Sequence, residues 1–240
     1  MALSAAGLRQ DGRRPGELRH LAVKMGHAGY DGSAYLEMGQ SRVLVQVFGP
    51  HQVDRRRDIS DDSALLHVEY VHAPFAGATR KKRRAGDRQS TEAATAVKQS
   101  LAAAVEMSTY PRTQIDVFIT VLEDDGSLLP ACINAGCLAL IDAGIVMTDM
   151  IVACSGGIAD DEPIVDLNLR EQNALNFPIA VLPGQDQVVL ALMDSKLPLD
   201  KIEPVLKAAI LGCHQVHSIL RLAVQNHTRS LINAKQRKVT

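Results

Sequence analysis

Gly126 and Ser127 form a junction between two contrasting stretches of the sequence. Residues 114–122 alternate between polar and apolar side chains as a β-strand does, and residues 131–147 are largely apolar with helical spacing. Ser127 is predicted to cap this helix, whose free N–H groups at the N-terminus can bind an anion such as phosphate. The two leucines that follow supply no cation, and Pro130 has no N–H to donate. The junction is therefore either a phosphate site or the remnant of one.

Basic residues form a second group that could have a binding function. They are Arg80, Lys81, Lys82, Arg83, Arg84 and Arg88, with Arg55, Arg56 and Arg57 upstream. Such runs are usually solvated loops, and a short basic run can also be a nuclear address. Loops at one end of a sheet would instead form a basic collar for phosphates. Aromatic residues make up only 3% of the chain, with Tyr70, Phe75 and Tyr110 nearest, so any contacts with nucleic acid are expected on its backbone, independent of base sequence and sensitive to salt.

Carboxylates form the third group. They are Asp124, Asp125, Asp160, Asp161 and Asp166. Asp166 ends an apolar strand pattern, where a carboxylate needs a specific role, although an ordinary turn or helix-cap aspartate fits as well. The sequence has no serine–histidine nucleophile elbow, no Walker loop and no metal-ligand spacing. Residue spacing therefore predicts a polyanion-binding protein with no metal ion and no cofactor, and indicates no specific enzyme.

Composition indicates a folded intracellular protein. The 240 residues are 46% apolar, and the net charge of −1 gives no overall preference for nucleic acid. The four cysteines show no metal spacing and are predicted to be buried free thiols, which fits a reducing compartment. The N-terminus lacks the apolar core of a secretory signal, and the most apolar run is predicted to be a core helix rather than a membrane span. We therefore expect the protein in the cytosol or the nucleus.

Strands and helices alternate along the chain to position these groups. Strands are predicted at residues 33–39, 41–50, 64–73, 115–122, 150–160, 163–169, 177–183 and 187–194. Helices are predicted from Asp87 or Ser90, from Ser127, and from Asp200, which Glu203 would join in a capping box. No linker rich in proline, serine or glycine divides the chain, so we predict one α+β domain over residues 1–240. Residues 1–15 form an N-terminal arm, and residues 227–240 are predicted to fray.

Six segments of the sequence, taken in order, resemble the ribonuclease PH family. They read RQDGRRPGELR, DGSAYLEMGQSRVLVQVFGP, GDRQSTE, YPRTQIDVFITVLEDDGS, ACINAGCLALIDAGI and DLNLREQNA. The resemblance covers nearly the whole chain and points, more narrowly, to the ring subunits of the eukaryotic RNA exosome. It implies a ribonuclease PH domain of two β–α–β-type halves, with mixed sheets packed on helices, in a six-membered ring around an RNA channel. Active members of the family cleave RNA from the 3′ end with inorganic phosphate as the nucleophile.

The resemblance also assigns roles to the phosphate-binding positions. In active members, arginines at the start of the earlier helix and beside a Gly-Ser/Thr turn hold the phosphate. Arg88 matches the first helix-start arginine, but Gln89 stands where archaeal members have a second. The turn itself is matched by Gly126 and Ser127, but Leu128 replaces the arginine that follows it.

The acidic positions of the family are matched only in part. Active members carry aspartates in a D-x5-D pattern that do acid or metal work. Asp166 matches the first aspartate, Gln172 occupies the second position, and Asn176 stands where another acid is common. One preorganised charge at such a site is typically worth ~10²–10³ in rate, so losing an arginine and an acid together predicts turnover at background. On this interpretation the turn is the remnant of a phosphate site, and Asp166, Gly126 and Ser127 are vestigial.

The resemblance therefore implies a non-catalytic ring subunit that lines the RNA channel. An associated hydrolytic nuclease would carry out the 3′-to-5′ processing of rRNA and the decay of mRNA. The expected partners are other ribonuclease PH-type ring subunits, RNA-binding cap subunits, that nuclease and single-stranded RNA, in the nucleus, the nucleolus and the cytoplasm. The basic residues named above, with Arg112, are predicted to contact RNA. Two alternatives stay open: a phosphorolytic exoribonuclease completed by a neighbouring subunit, and an architectural subunit that does not contact RNA.

Overall fold

A five-stranded sheet occupies the first half of the chain. The structure, a computed structural model, describes residues 7–27, 29–53, 62–77, 79–80, 87–160, 162–172, 175–193 and 196–239. The strands are β1 (Leu21–Met25), β2 (Gly32–Met38), β3 (Ser41–Gln52), β4 (Leu65–His72) and β5 (Thr113–Glu123), in the order β1-β2-β3-β5-β4. Helix α1 (Arg88–Ala104) joins β4 to β5, which are parallel, whereas the other neighbouring strands are antiparallel.

The hairpin between β2 and β3 forms where the sequence predicts it. Met38 pairs with Ser41, so the loop contains only Gly39 and Gln40, and Gly39 adopts a φ of +63° that glycine tolerates. Alternate residues of both strands are fully buried, namely Ala34, Leu36, Met38, Val43, Val45 and Val47. A shift of one residue would turn this face to solvent, so the apolar pattern fixes the register.

A four-stranded antiparallel sheet follows in the second half. Its strands are β6 (Val152–Ala159), β7 (Glu162–Val165), β8 (Phe177–Leu182) and β9 (Gln187–Ala191), in the order β7-β6-β8-β9. A short helix, α3 (Leu169–Gln172), lies between β7 and β8, and α4 (Leu199–Val239) packs on β6, β7 and β8. All four strands correspond to strands predicted from the sequence.

Helix α2 (Leu128–Asp142) lies between the two sheets and packs on β2, β3 and β6. Its buried Asn134 donates from Nδ2 to Ala153 O at 2.9 Å and accepts from Ala153 N through Oδ1 at 2.7 Å. Because both polar groups of this amide are paired, the helix can be buried on nearly every side. One hydrophobic cluster contains residues of both sheets, and the predicted α+β class is confirmed.

Two regular elements were not predicted, β1 and α3. Strand β1 has only five residues and follows a segment rich in arginine, so the alternation of polar and apolar residues is too short to be recognised. Helix α3 has four residues, too few for a helical period to show in the sequence. Both elements adjoin the site described below, which makes their omission important.

The predicted helix caps are wrong in detail. Asp87 and Ser127 precede α1 and α2, but neither side chain bonds to the first turn of its helix. Helix α4 begins at Leu199, one residue before Asp200, and Glu203 accepts a hydrogen bond from Lys207 Nζ at 2.6 Å instead of closing a capping box. A lysine four residues further along a helix is a ready partner for a glutamate.

Helix α4 continues to Val239, so the prediction that regular structure is lost from about residue 227 differs from the structure. His227 explains the first part of this extension, because its Nε2 lies 3.1 Å from Asp142 Oδ1 at the end of α2. No proline or glycine follows Gly212 in the sequence, so nothing interrupts the backbone hydrogen bonds further on.

The four cysteines, Cys132, Cys137, Cys154 and Cys213, are buried and free, as predicted. Burial raises the pKa of each thiol, so the thiolate form that reacts is disfavoured. Among the helices in the described residues, none combines the length and the apolar character needed to cross a membrane.

Candidate functional site

The Gly126–Ser127 turn is a buried joint between the two halves of the chain. Gly126 has a φ of +86° and Ser127 a φ of +51°. Gly126 O accepts hydrogen bonds from Ser41 Oγ at 2.9 Å and from Arg19 Nη2 at 3.2 Å. Ser127 Oγ donates to Leu167 O at 2.7 Å and contacts Ser155 Oγ, both in the second half. The serine that was predicted to cap α2 therefore connects the turn to β6 and to the segment after β7.

The backbone of Asn168 and Leu169 covers this turn closely. A Cβ atom placed on Gly126 would lie 2.5 Å from Asn168 C and 2.5 Å from Leu169 N. Only glycine therefore fits at position 126, because it tolerates the left-handed backbone and because the neighbouring chain segment leaves no space for a Cβ atom. Leu128, which follows the turn, is partly buried and packs on the hydrophobic core.

Substituting Gly126 tests whether the turn is a packed joint. Gly126→Ala is expected to lower the free energy of unfolding by about 2–5 kcal/mol, because the left-handed backbone costs roughly 1–2 kcal/mol and the clash adds roughly 1–3. Gly144→Ala is the matched control, since Gly144 also has a positive φ but open space around its Cβ position. Urea unfolding of both variants should show the larger loss for Gly126→Ala. Equal losses would mean that residues 168–169 do not pack on the turn.

Asp166 is the centre of a buried ionic network. It has a φ of +56° and no exposed surface. Its carboxylate accepts from Arg19 N at 2.8 Å (Oδ2) and from Arg19 Nη2 at 2.8 Å (Oδ1), while Arg19 Nε lies 3.1 Å from both oxygens. The same guanidinium donates through Nη1 to Asp125 O at 2.9 Å. Arg19 thus joins the candidate acid to the candidate phosphate turn.

The N-terminal arm adds two further arginines to Asp166. The main-chain carbonyl oxygen of Asp166 accepts hydrogen bonds from Arg9 Nη2 at 2.9 Å and from Arg13 Nη1 at 3.1 Å. Arg9 is buried, donates to Val165 O at 2.6 Å and forms a two-pronged ion pair with Glu171, whose Oε1 accepts from Nε at 2.9 Å. A planar guanidinium with several donors suits this arrangement better than a lysine would.

Arg9, Arg19 and Glu171 are the site residues that sequence reasoning missed. Two of them fall within the RQDGRRPGELR segment that carries the family resemblance, but the sequence gives neither a role. The available signal was Asp166 itself, since a carboxylate at the end of an apolar strand needs a partner. The sequence does not show which of the 26 basic residues supplies that partner.

The remaining carboxylates are distributed over several positions. Burial raises the pKa of Asp125, and Arg19 Nη1, 3.5 Å from its Oδ2, acts in the opposite direction. Asp124 Oδ2 lies 3.6 Å from His72 Nε2. Asp160 lies in the turn between β6 and β7, and Asp161 lies outside the described residues. Within the described part of the chain, no cluster of three histidine, cysteine, aspartate or glutamate residues is arranged to hold a metal ion.

The structure describes only three of the predicted RNA-contact residues. Arg88 is the first residue of α1, and its side chain is 90% exposed with Nε 2.7 Å from Glu92 Oε1. Arg80 and Arg112 are exposed as well, Arg80 beyond the C-terminal end of β4 and Arg112 just before β5. Since β4 and β5 are parallel, the segments that carry these two arginines leave the sheet at opposite ends. Arg55, Arg56, Arg57, Lys81, Lys82, Arg83 and Arg84 lie outside the described residues.

Comparison with known proteins identifies similar chains over almost the whole length. Residues 17–146 match the model of the 3′ exoribonuclease family, domain 1, and residues 149–211 match domain 2 of the same family. Exosome complex component RRP41 of Mus musculus is 42% identical over 231 residues, which are 95% of this chain and 94% of that protein.

Similarity extends to archaea and to a solved structure. Exosome complex component Rrp41 of Thermococcus gammatolerans is 37% identical over 222 residues, which cover 91% of this chain and 89% of that protein. The crystal structure of rice (Oryza sativa) Rrp46 superposes with a TM-score of 0.76 at 26% identity, covering 90% of this chain and 100% of that one. These matches include both halves of the chain and the joint between them.

Proposed function

Because the chain belongs to the 3′ exoribonuclease family, we propose that it is a non-catalytic ring subunit of an RNA exosome, which lines the channel for RNA. The relatives named as exosome components support the assembly, since the similarity covers nearly the full length of both proteins. Its partners are other ribonuclease PH-type ring subunits, RNA-binding cap subunits and a hydrolytic nuclease that degrades the threaded RNA 3′ end first. The proposed location is the nucleus and nucleolus, and also the cytoplasm.

The main support for the non-catalytic assignment is that the Gly126–Ser127 turn is buried and is followed by an apolar residue. Ser127 is buried, the backbone of residues 168–169 covers Gly126, and the position after the turn is Leu128, an apolar residue packed on the core. A multiply charged phosphate nucleophile needs cations to hold it, and one such charge is typically worth ~10²–10³ in rate. The turn joins the two halves of the fold and supplies no cation of its own.

Asp166 gives independent support. An acid or metal ligand needs a carboxylate that can reach the substrate, whereas both oxygens of Asp166 are bonded to Arg19 and the residue has no exposed surface. The second acidic position is Gln172, whose amide does not ionise. In this site the remaining carboxylate stabilises the fold.

The runner-up function is a phosphorolytic exoribonuclease that a neighbouring subunit completes. Arg88 favours it, because this residue begins α1 and its side chain is 90% exposed, so a neighbour's substrate could reach it. A purely architectural subunit is the third candidate, in which the basic residues contact solvent only. RNA binding by the assembled ring separates the third candidate from the first.

Assembly with ring neighbours should stabilise the chain. Strands β1 and β4 end one sheet and β9 is an edge of the other, and strand edges favour association. At ring-neighbour concentrations of 100 times Kd, linkage contributes about 2.7 kcal/mol, which raises Tm by about 5–10 °C for a chain of this size. Thermal unfolding with and without purified ring neighbours measures this, with an unrelated protein of equal size as control. A monodisperse monomer at micromolar concentration whose Tm does not change would count against a ring subunit.

The basic segment should contact RNA through phosphates. Replacing Arg80, Lys81, Lys82, Arg83 and Arg84 with glutamine should weaken RNA binding by the assembled ring equally for unrelated sequences. Each lost contact should reduce the slope of log K against log salt by roughly 0.7. The free energy of unfolding should change by no more than about 0.5 kcal/mol, since these are surface positions in the prediction.

A matched control for the basic segment is available on α4. Lys207 and Arg229 are exposed, so replacing both with glutamine removes positive charge from a different element and should leave the slope unchanged. If the five-residue variant keeps both the affinity and the slope of the wild type, the segment does not contact RNA. Altered distribution in cells would then indicate a nuclear address.

A further inference from the structure

A groove of about 630 Å³ runs between strand β1 and helix α4. Strand β1 is the first strand in the order β1-β2-β3-β5-β4, so it lies at the edge of its sheet. The opposite wall consists of residues of α4, namely Ile219, Ala223, Asn226, His227 and Ser230. An edge strand beside a helix is an arrangement in which an extended peptide can bind as an additional strand. The backbone of β1 determines whether such a strand could form hydrogen bonds here.

Alternate residues of β1 direct their backbone groups away from β2. In an antiparallel pair, every second residue directs its N–H and C=O to the neighbouring strand, and the others direct theirs outward. Gly26 N donates to Ser33 O at 3.2 Å and Gly39 N donates to His20 O at 2.9 Å, so the even-numbered residues of this segment face β2. The odd-numbered residues therefore face outward. Three of them line the groove, namely Leu21, Val23 and Met25.

Other parts of the chain close both ends of this outward edge. Arg19 N, two residues before the first of the three, donates to Asp166 Oδ2 at 2.8 Å. His27 N, two residues after the last, donates to Ser33 Oγ at 2.6 Å. Between these ends, no hydrogen bond from another described residue reaches the outward backbone groups of residues 21, 23 and 25. Each of the three can therefore exchange a pair of hydrogen bonds with an added antiparallel strand.

Helix α4 is held beside β1 by a polar contact at one end of the groove. His227 Nε2 lies 3.1 Å from Asp142 Oδ1, and Asp142 Oδ2 accepts hydrogen bonds from Gly26 N at 3.1 Å and Ser33 N at 2.9 Å. A Cβ atom placed on Gly26 would lie 2.9 Å from His227 Cε1, so the helix and the strand are in close contact here. The groove is thus formed before any ligand binds, which lowers the entropic cost of binding.

The side chains of the groove define what an added strand must carry. On one face of the sheet, Leu21, Val23 and Met25 pack on the core, and α4 adds the half-exposed Ile219 and Ala223. Alternate side chains of the added strand would contact these residues, so they are expected to be apolar. The remaining side chains would lie on the other face of the sheet.

Lys24 is the charged residue of that other face. It is exposed and has no ion-pair partner among the described residues. Glu37, diagonal to it on β2, accepts a hydrogen bond from the Tyr35 hydroxyl at 2.7 Å and lies 3.7 Å from Arg42 Nε. No carboxylate lines the groove in the described part of the chain. The residue opposite Lys24 in an added strand is therefore expected to be acidic, since opposite charges attract across strands.

The position of the groove indicates where its ligand comes from. The match to domain 2 of the family ends at residue 211, whereas the α4 residues of the groove lie at 219–230. The helical wall is therefore not part of the matched domain, and β4 and β9 provide edges for ring neighbours. We propose that the β1–α4 groove binds an extended segment of an accessory protein outside the ring, with apolar side chains facing α4 and an acidic residue opposite Lys24. The inference goes beyond the proposed function, since it requires no RNA contact and holds whether or not the chain is catalytic.

Two labelled heptapeptides test the proposal by fluorescence anisotropy, with the full-length chain and with the assembled ring. In both peptides valine alternates with threonine, except that the central residue is glutamate in one and lysine in the other. The glutamate peptide should bind the free chain and the ring alike, roughly 2- to 5-fold more tightly than the lysine peptide. Lys24→Glu should reverse this preference.

Val23→Pro tests the backbone contact. It removes an outward N–H that is not bonded to β2, and proline is tolerated on an edge strand where its nitrogen faces away from the sheet. The variant should bind the glutamate peptide at least about fivefold more weakly. Circular dichroism and urea unfolding establish whether it folds, and if it does not, the reversal by Lys24→Glu decides.

Ile219→Asn tests the helical wall and should weaken binding roughly fivefold through lost apolar contact. Leu222→Asn is the matched control, because Leu222 is also an exposed apolar residue of α4 but does not line the groove. It should leave the affinity unchanged.

Three results would overturn the inference. One is a folded Val23→Pro variant that binds the peptide as the wild type does, with no reversal of preference in Lys24→Glu. Another is binding by the free chain that is lost in the assembled ring, since a ring neighbour then covers the groove and the proposed function stands. The third is a dimer of the free chain that Val23→Pro converts to a monomer, since the ligand is then a second copy of this chain.

Discussion

Asp166→Ala is expected to lower the free energy of unfolding by about 3–5 kcal/mol, among the largest losses that a single substitution in this chain can cause. The substitution leaves Arg19 buried without its carboxylate, and an unpaired buried charge is far more costly than the ion pair is favourable. It also removes the hydrogen bonds that connect Arg19, just before β1, to the residue that follows β7. Urea unfolding of the wild type and the variant measures the difference.

Two controls separate the ion pair from other effects of the substitution. Asp186→Ala replaces an exposed aspartate that also has a positive φ, 51°, so it reports the cost of an alanine in the left-handed region. The double variant Arg19→Leu with Asp166→Ala removes both charges and should recover part of the loss. An Asp166→Ala loss no larger than that of Asp186→Ala would contradict the structural role given to Asp166.

Local patterns explain how much of the fold the sequence predicts. The β2–β3 hairpin follows from alternating apolar residues around Gly39, and α2 follows from a long apolar run after Ser127. In both cases the residues that determine the element are neighbours in the chain. Strand β1 and helix α3 have five and four residues, so neither contains enough positions for a period to be recognised.

Long-range pairs explain what the sequence does not predict. Arg19 and Asp166 are separated by 147 positions, and Arg9 and Glu171 by 162. No local rule links such residues, so the sequence alone assigns no partner to Arg9 or Arg19. The same limit affects Ser127, whose position at a helix start predicts a cap, although its hydroxyl instead donates to Leu167 O in the second half. Tertiary partners outweighed the local preference for capping.

The residues to which the family resemblance assigns active-site positions contribute to the fold of this chain. They are Gly126, Ser127 and Asp166, and their hydrogen bonds connect distant segments of the chain. The presence of Gly126, Ser127 and Asp166 is therefore weak support for activity, and the uncharged side chains of Leu128 and Gln172 are stronger support for its absence.

No phosphorolysis is expected from this chain, alone or with its ring neighbours. Leu128 and Gln172 stand where the family resemblance implies an arginine and an acid, and each preorganised charge is typically worth ~10²–10³ in rate, so the two losses together would amount to roughly four to six powers of ten. Asp166→Asn is a poor control here because it disrupts a buried ion pair. Arg88→Gln is a better one, since Arg88 is exposed and its pair with Glu92 lies at the surface.

The most direct test of the central claim is the release of nucleoside diphosphates from single-stranded RNA by the purified ring without its hydrolytic nuclease, measured at increasing inorganic phosphate. An active phosphorolytic ring is assayed in parallel. The predicted result is release indistinguishable from the protein-free control at every phosphate concentration, for the wild type and for Arg88→Gln alike. Release that rises with phosphate and is abolished by Arg88→Gln in this chain would contradict the non-catalytic assignment and establish the phosphorolytic alternative.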